Sequence, residues 1–312
     1  MALIGVDIGT TGCKAHVFSE TLELLASATR EYAVDIPHPQ WAEQDAERVW
    51  EKVLEVIRES VSTADVGDQV TAIGLSVQGE AVVPVDENGR AMRPMILGMD
   101  TRTDAQNAWL REKFGAEALF NKSGMPIHTI NTLPKLLWLK AHEPALWENA
   151  HQFLLYEDFI INKLTHQTVI SECLASRTQL FDLEARCWSE EILDVLDLDS
   201  SRLSKVVASG TSAGVLDPAI ANNLGISSRP IVAAGGHDQA CGALGAGLVQ
   251  PGLAMVSTGT AEVVEVAMAS PHLNRSLFEG NMSVYRYTQP DLFLVMTLNQ
   301  IGRFILRWFR DT

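Results

Sequence analysis

The chain has 312 residues, more than a single core usually takes and comfortable for two lobes. Apolar side chains make up 46% and charged ones 20%, ordinary globular usage that leaves no room for a long disordered or fibrous segment. With 24 basic against 39 acidic side chains the net charge is −15, which argues against a nucleic-acid or anionic-membrane surface.

From the N-terminus the pattern reads strand, turn, strand: Leu3-Ile4-Gly5-Val6, then Asp7-Ile8-Gly9-Thr10-Thr11-Gly12, then Lys14 to Phe18. Met1 leads directly into this apolar run without a basic segment, so no secretion signal is expected there. A third strand is expected over 23–28. Between Asp45 and Val61, the residues Val49, Val53, Val56 and Ile57 recur at helical spacing with Glu and Arg between them, which predicts an amphipathic helix. Thr71–Ser76 and Ala81–Val85 read as strands on either side of Val77-Gln78-Gly79-Glu80, and Asp86-Glu87-Asn88-Gly89 reads as a hairpin turn. Helices are expected to dominate from Asp104 to about Leu164. A second strand-to-helix unit follows, with a strand over 230–234, a turn at Gly235-Gly236-His237-Asp238 and a helix over 239–248. The segment 253–264 then repeats the opening strand, Gly-Thr turn and strand, with Gly259-Thr260 matching Gly9-Thr10. Two such hairpins suggest a duplicated fold that closes both tips on one ligand. Cys13, Cys173, Cys187 and Cys241 form no CxxC pair and complete no zinc spacing, so they read as reduced cytosolic thiols. No stretch reaches the ~18 apolar residues of a membrane span.

Glycine in a tight turn lets backbone amides converge on an anion and threonine adds a hydroxyl donor, so Gly9-Thr10-Thr11-Gly12 reads as a phosphate cradle. It is not a Walker A loop, because GxxxxGK[ST] is absent. Asp7 closes the first strand, where a carboxylate beside polyphosphate would hold hydrated magnesium; its plainer reading is a turn-forming residue. Asp238 opens a helix after a glycine pair. It reads either as an ordinary cap or as the acceptor of a proton from an attacking hydroxyl. The helix N-terminus favours its ionised form, and an ordinary value near ~3.9 would keep it charged at neutral pH. His237 reads as a turn residue rather than a ligand.

These segments resemble those of the FGGY carbohydrate kinases. Asp7-Ile8-Gly9-Thr10-Thr11-Gly12 with Lys14 looks like the family's first phosphate loop, and Thr258-Gly259-Thr260 like its second. The run from Gly235 to Gly245 is similar to the segment carrying the family's catalytic aspartate. Further agreement lies in Trp41-Ala42-Glu43-Gln44-Asp45, Met99-Asp100-Thr101-Arg102-Thr103, 158–165 and Ala175-Ser176-Arg177-Thr178 with Phe181-Asp182. The resemblance implies an α/β, actin-like ATPase (ribonuclease H-like) fold, with two lobes of mixed sheet and flanking helices. It divides the chain into a sugar-binding domain over 1–247 and the start of a nucleotide-binding domain over 248–312. It also implies ATP and magnesium, a sugar or polyol substrate, no nucleic-acid or membrane partner and a cytoplasmic protein; a homodimer is compatible with it.

Carried over residue by residue, the resemblance makes Asp238 the general base, with Gln239 beside it touching the sugar. Asp7 would organise Mg2+ through water. Thr10, Thr11 and Lys14 would meet the transferred phosphate, and Gly259 and Thr260 would hold ATP phosphates from the other side. Against the net negative charge, such a site has to rely on local amides, single cations and the metal. Gln78, Gly79 and Glu80 fall where these kinases bind sugar hydroxyls, a donor–acceptor pair and a pure acceptor whose plainer reading is solvated loop polarity. Asp100 and Arg102 read as a structural bridge near the pocket. Two departures stand out. Gly98-Met99 replaces the aromatic that often precedes Asp-x-Arg in glycerol and pentulose kinases, and the loop 126–131 lacks the aromatic of glycerol kinases; both weigh against glycerol and also against a simple assignment to xylulose. The family's adenine-binding, glycine-rich segment is absent, and Ile301, Phe304, Ile305 and Trp308 trace an amphipathic helix without a cap, so the chain reads as a fragment with the second lobe incomplete. Alternatives at this point are a non-catalytic actin-like regulator and a sugar-binding module.

Overall fold

The computed structural model describes residues 1–258, 262–299 and 309–310. The opening is a meander of β1 (Ala2–Ile8), β2 (Gly12–Ser19) and β3 (Leu24–Glu31), each antiparallel to the next. Along β1 the alternation is strict: Ala2, Ile4, Val6 and Ile8 are buried, whereas Leu3, Gly5 and Asp7 are only half-buried on the other face. Helix α1 (Ala46–Ala64) starts where the Asp45 carboxylate accepts the amides of Glu47 and Arg48, and it buries Val49, Val53, Val56 and Ile57 in the sheet's core cluster. Strand β4 (Val70–Val77) then pairs parallel to β1.

The helical region expected after 104 comprises α2 (Asp104–Phe114), α3 (Ala116–Ser123), α4 (Thr132–His142) and α5 (Tyr156–Thr165), with shorter helices between. Leu110, Leu119, Leu133, Leu136, Trp147 and Phe153 belong to a second core cluster of their own, so this region packs as a distinct layer beside the sheet. The chain returns through β5 (Ser212–Val215), β6 (Ile231–His237) and α6 (Asp238–Gly245). The resulting mixed sheet has the order β5-β6-β4-β1-β2-β3. A second sheet, fully antiparallel, is built from β7 (Ala254–Thr258), β8 (Glu262–Met268), β9 (Ser283–Arg286) and β10 (Phe293–Asn299) in the order β7-β8-β10-β9.

One sequence expectation is corrected here. Gly235-Gly236-His237 is not a turn: β6 continues through it, with a register shift between Ala233 and Gly236, and helix α6 begins at Asp238 with His237 as its cap residue. The glycines serve close approach instead. A β-carbon at Gly235 would lie 1.5 Å from the Leu75 carbonyl oxygen, so β6 can hug β4 only without a side chain there. The Gly259-Thr260 tip and the 301–308 helix lie outside the described residues. The arms of the second hairpin, β7 and β8, pair as expected up to Thr258 and Glu262.

Candidate active site

The β1–β2 loop closes on a hydrogen bond from the Gly9 amide to the Gly12 carbonyl at 2.9 Å. Its carbonyl groups are held by polar side chains. The Gly9 carbonyl accepts from the Tyr32 hydroxyl (2.7 Å) and from Gln78 Nε2 (3.1 Å), and the Thr10 carbonyl accepts from Gln44 Nε2 (3.0 Å). Thr10 Oγ1 donates to Gln78 Oε1 at 3.3 Å, and Gln44 Oε1 accepts from Tyr156 at 2.5 Å and from Gln78 at 3.3 Å. The two buried glutamines thus form a buttress that fixes the tip and leaves Thr11 exposed above it. Gln78, expected to face a sugar, spends its amide here. Within the loop the sterically obligatory glycine is Gly12, whose β-carbon would meet the Arg30 carbonyl oxygen at 2.7 Å; at Gly9 the nearest atom is 3.4 Å away.

The carboxyl ends of β1, β4 and β6 line up beside this loop, the place where ligands bind in sheets of parallel strands. Register puts Asp7 opposite Ser76 on one side and Lys14 on the other, and Ser76 opposite Gly236. The Ser76 hydroxyl donates to Asp7 Oδ1 at 2.8 Å. The Lys14 side chain is exposed and makes no hydrogen bond or ion pair among the described residues. A cleft of about 980 Å³ is lined by Asp7, Lys14, Ser76, Asp238 and Gln239 together with Gly235.

Asp238 occupies the first turn of α6, where its Oδ1 accepts the Gln239 amide at 2.6 Å. Here the expected ordinary acidity fails. Burial pushes the carboxyl up to about 7, with Asp7 and Glu80 adding to the rise against the Gln239 amide and Arg177. Burial likewise holds His237 well below the usual histidine range, so its ring is neutral. Its Nε2 lies 3.3 Å from Asp238 Oδ1, and Nδ1 has no partner among the described residues. Behind β6, the fully buried Glu157 accepts the Gly235 amide (2.6 Å) through Oε1 and the Ser171 amide and hydroxyl (both 2.8 Å) through Oε2. That carboxylate fixes the shifted segment from which Asp238 projects.

Glu80 is buried, and its Oε1 accepts from Arg177 Nε at 2.6 Å and pairs with Nη2. Arg177 stacks on Tyr285, whose hydroxyl reaches Glu265 of β8 at 2.5 Å, so the pair is tied to the second sheet. Asp100 and Arg102 form the structural bridge that the sequence suggests. Arg102 Nε is 2.9 Å from both Asp100 oxygens, and its guanidinium lies 3.7 Å above the Trp41 ring. Sequence reasoning assigned no role to Gln44, Ser76, Glu157 or Arg177; Gln44 and Arg177 stood inside recognised stretches without one. Among the described residues no group of three or more His, Cys, Asp or Glu could hold a metal, no helix is long and apolar enough to cross a membrane, and all four cysteines are free.

The sequence profile of the N-terminal domain of the FGGY family of carbohydrate kinases matches residues 2–245. The xylulose kinase of Staphylococcus xylosus is 30% identical over 310 residues, a match covering 99% of this chain and 63% of that protein. The gluconokinase of Bacillus subtilis (strain 168) is 25% identical over 309 residues, covering 99% and 59%. The crystal structure of xylulose kinase from Rhodospirillum rubrum superposes with a TM-score of 0.93 at 25% identity, covering 99% of this chain and 62% of that one. The chain therefore spans about three-fifths of the length of the curated relatives it matches. With the profile running through the β1–β2 loop and Asp238, and the mixed sheet and flanking helices superposing as an actin-like ATPase fold, the chain belongs to the FGGY family of carbohydrate kinases.

Proposed function

We propose that the protein transfers the terminal phosphoryl group of ATP to a hydroxyl of a sugar or polyol, in the manner its xylulose kinase relatives are named for, with Asp238 as general base. The observation that carries this reading is the placing of Asp238, its carboxyl raised to about 7, in one cleft with Asp7 and Lys14. A base titrating near the working pH accepts a proton efficiently, and it matters only late, because phosphoryl transfer depends chiefly on alignment and charge neutralisation. Asp238 Oδ1 is held by the Gln239 amide, so Oδ2 is the oxygen left to receive the hydroxyl proton. The sugar oxygen then bonds to phosphorus as the bond to the ADP oxygen breaks, and Lys14 with the amides around Thr10 and Thr11 steadies the charge in transit.

Asp7 fits a magnesium site of the kind that takes one protein carboxylate plus phosphate and water oxygens: Ser76 engages Oδ1, and Oδ2 accepts nothing among the described residues. When bound, that ion would draw charge from the phosphates. Gly79, Glu80 and Gln239 would contact the sugar, and Gly259 and Thr260 the nucleotide from the other side. We assign 1–247 to the sugar-binding domain and 248–312 to the start of the nucleotide-binding domain. The test is a phosphorylation screen with ATP over ketopentoses, aldonic acids and polyols, read by ADP release and by 31P NMR of the product. A sugar-dependent phosphate ester supports the reading, and none with any acceptor refutes it.

A further inference from the structure

Glu80 has φ +59° while only 2% exposed, and the Ala81 amide donates to the Gly79 carbonyl at 2.8 Å. The chain therefore doubles back in a three-residue turn centred on Glu80, and positive φ makes this the rare, strained form of that turn. Backbones of this kind persist only where their surroundings over-determine them. Here the Glu80 carbonyl accepts from Lys135 Nζ at 2.9 Å and from Thr132 Oγ1 at 3.2 Å, both from the start of α4.

Lys135 is wholly buried and has no carboxylate at ion-pair distance among the described residues. An unpaired ammonium in such a place is costly, and burial brings its pKa down to about 7. An apolar side chain of the same length would avoid that cost. What the amine adds is a second bond, from Nζ to the Ile130 carbonyl at 2.6 Å, which ties the Glu80 turn to the loop 126–131. These two segments come together at Gly98, whose absent β-carbon would lie 3.5 Å from Ile130 Cγ1 and 3.7 Å from Glu80 Oε2, the oxygen not taken by Arg177.

We propose that Lys135 is a positioning residue of the sugar site: by clamping the Glu80 and Ile130 carbonyls it holds Glu80 in its strained turn and sets the spacing between that carboxylate and the 126–131 loop. The sugar clause rests on the kinase reading; the clamp itself does not. Hydrogen exchange on Lys135→Met, without any ligand, tests the clamp. The Ala81 and Ile130 amides should exchange ~10-fold faster or more, as expected when buried carbonyls lose their donor, while β4 keeps its protection. Unchanged rates at both amides in a folded variant overturn the clamp. Thr132→Val, which removes the other donor to Glu80 alone, should accelerate Ala81 but not Ile130; acceleration at neither, or equally at both, counts against it. In steady-state kinetics with D-xylulose and ATP, Lys135→Met should raise KM for xylulose ~10-fold or more and leave KM for ATP and kcat within about 3-fold. An equal rise in both KM values would reduce Lys135 to a structural residue. Absence of turnover by the unaltered protein with D-xylulose, D-gluconate and glycerol alike would defeat the kinase reading, while the exchange rates would still decide the clamp.

Discussion

Replacing Asp238 with asparagine should make the protein more stable, and increasingly so as pH rises from 4 to about 7. The folded carboxyl titrates near 7 and the unfolded one near 3.8, so between these values the folded state holds a proton that the unfolded state has lost. Each step up in pH across that window favours unfolding; below about 4 both forms are protonated, and above about 7 both are ionised and the difference is constant. The full displacement corresponds to a ceiling of about 4 kcal/mol. The side chain is 32% exposed, so solvent screening cuts this, and we take about 1–2 kcal/mol. Asparagine is never ionised and removes the penalty. For a chain of this size the gain should appear as a rise in Tm of roughly 2–6 °C at pH 8 and almost none at pH 4. Thermal melts of the ligand-free protein and Asp238→Asn at pH 4, 5, 6, 7 and 8 measure it. A Tm difference that is flat with pH, or an asparagine variant less stable at pH 8, would refute the reasoning about the site's burial.

Gly235→Ala would force a β-carbon to 1.5 Å from the Leu75 carbonyl, so it should cost about 3 kcal/mol or more, or prevent folding, in urea denaturation. Glu157→Gln turns an acceptor into an amide that must point its N–H groups at the Gly235 or Ser171 donors, and should cost about 1–3 kcal/mol by the same assay. The acid limb of kcat/KM for the sugar should rise through about pH 7, since Asp238 must lose its proton to accept another; a limb near pH 4 would show a carboxyl of ordinary acidity.

The elements were legible where periodicity was strong. The β1–β2 hairpin and α1 follow directly from alternating Ala2, Ile4, Val6, Ile8 and from Val49, Val53, Val56, Ile57. Asp7, Lys14 and Asp238 were legible as a set because their motifs are local, and the sheet brings them together at strand ends. The Gly235-Gly236 pair misled, because glycine signals a turn and a close strand approach alike, and only the position of Leu75 separates them. The acidity of Asp238 was also out of reach, since burial among residues as distant as Asp7 and Glu80 is a property of the fold. Gln44, Glu157 and Lys135 act through hydrogen bonds to backbone groups far away in the sequence, which leave no mark on local sequence pattern.

The role of Asp238 as the base is tested most directly by the turnover of Asp238→Asn set beside its sugar affinity. kcat should fall ~10²-fold or more, with the calorimetric dissociation constant for the sugar nearly unchanged, the signature of an interaction made only in the transition state. Wild-type kcat in that variant would contradict it.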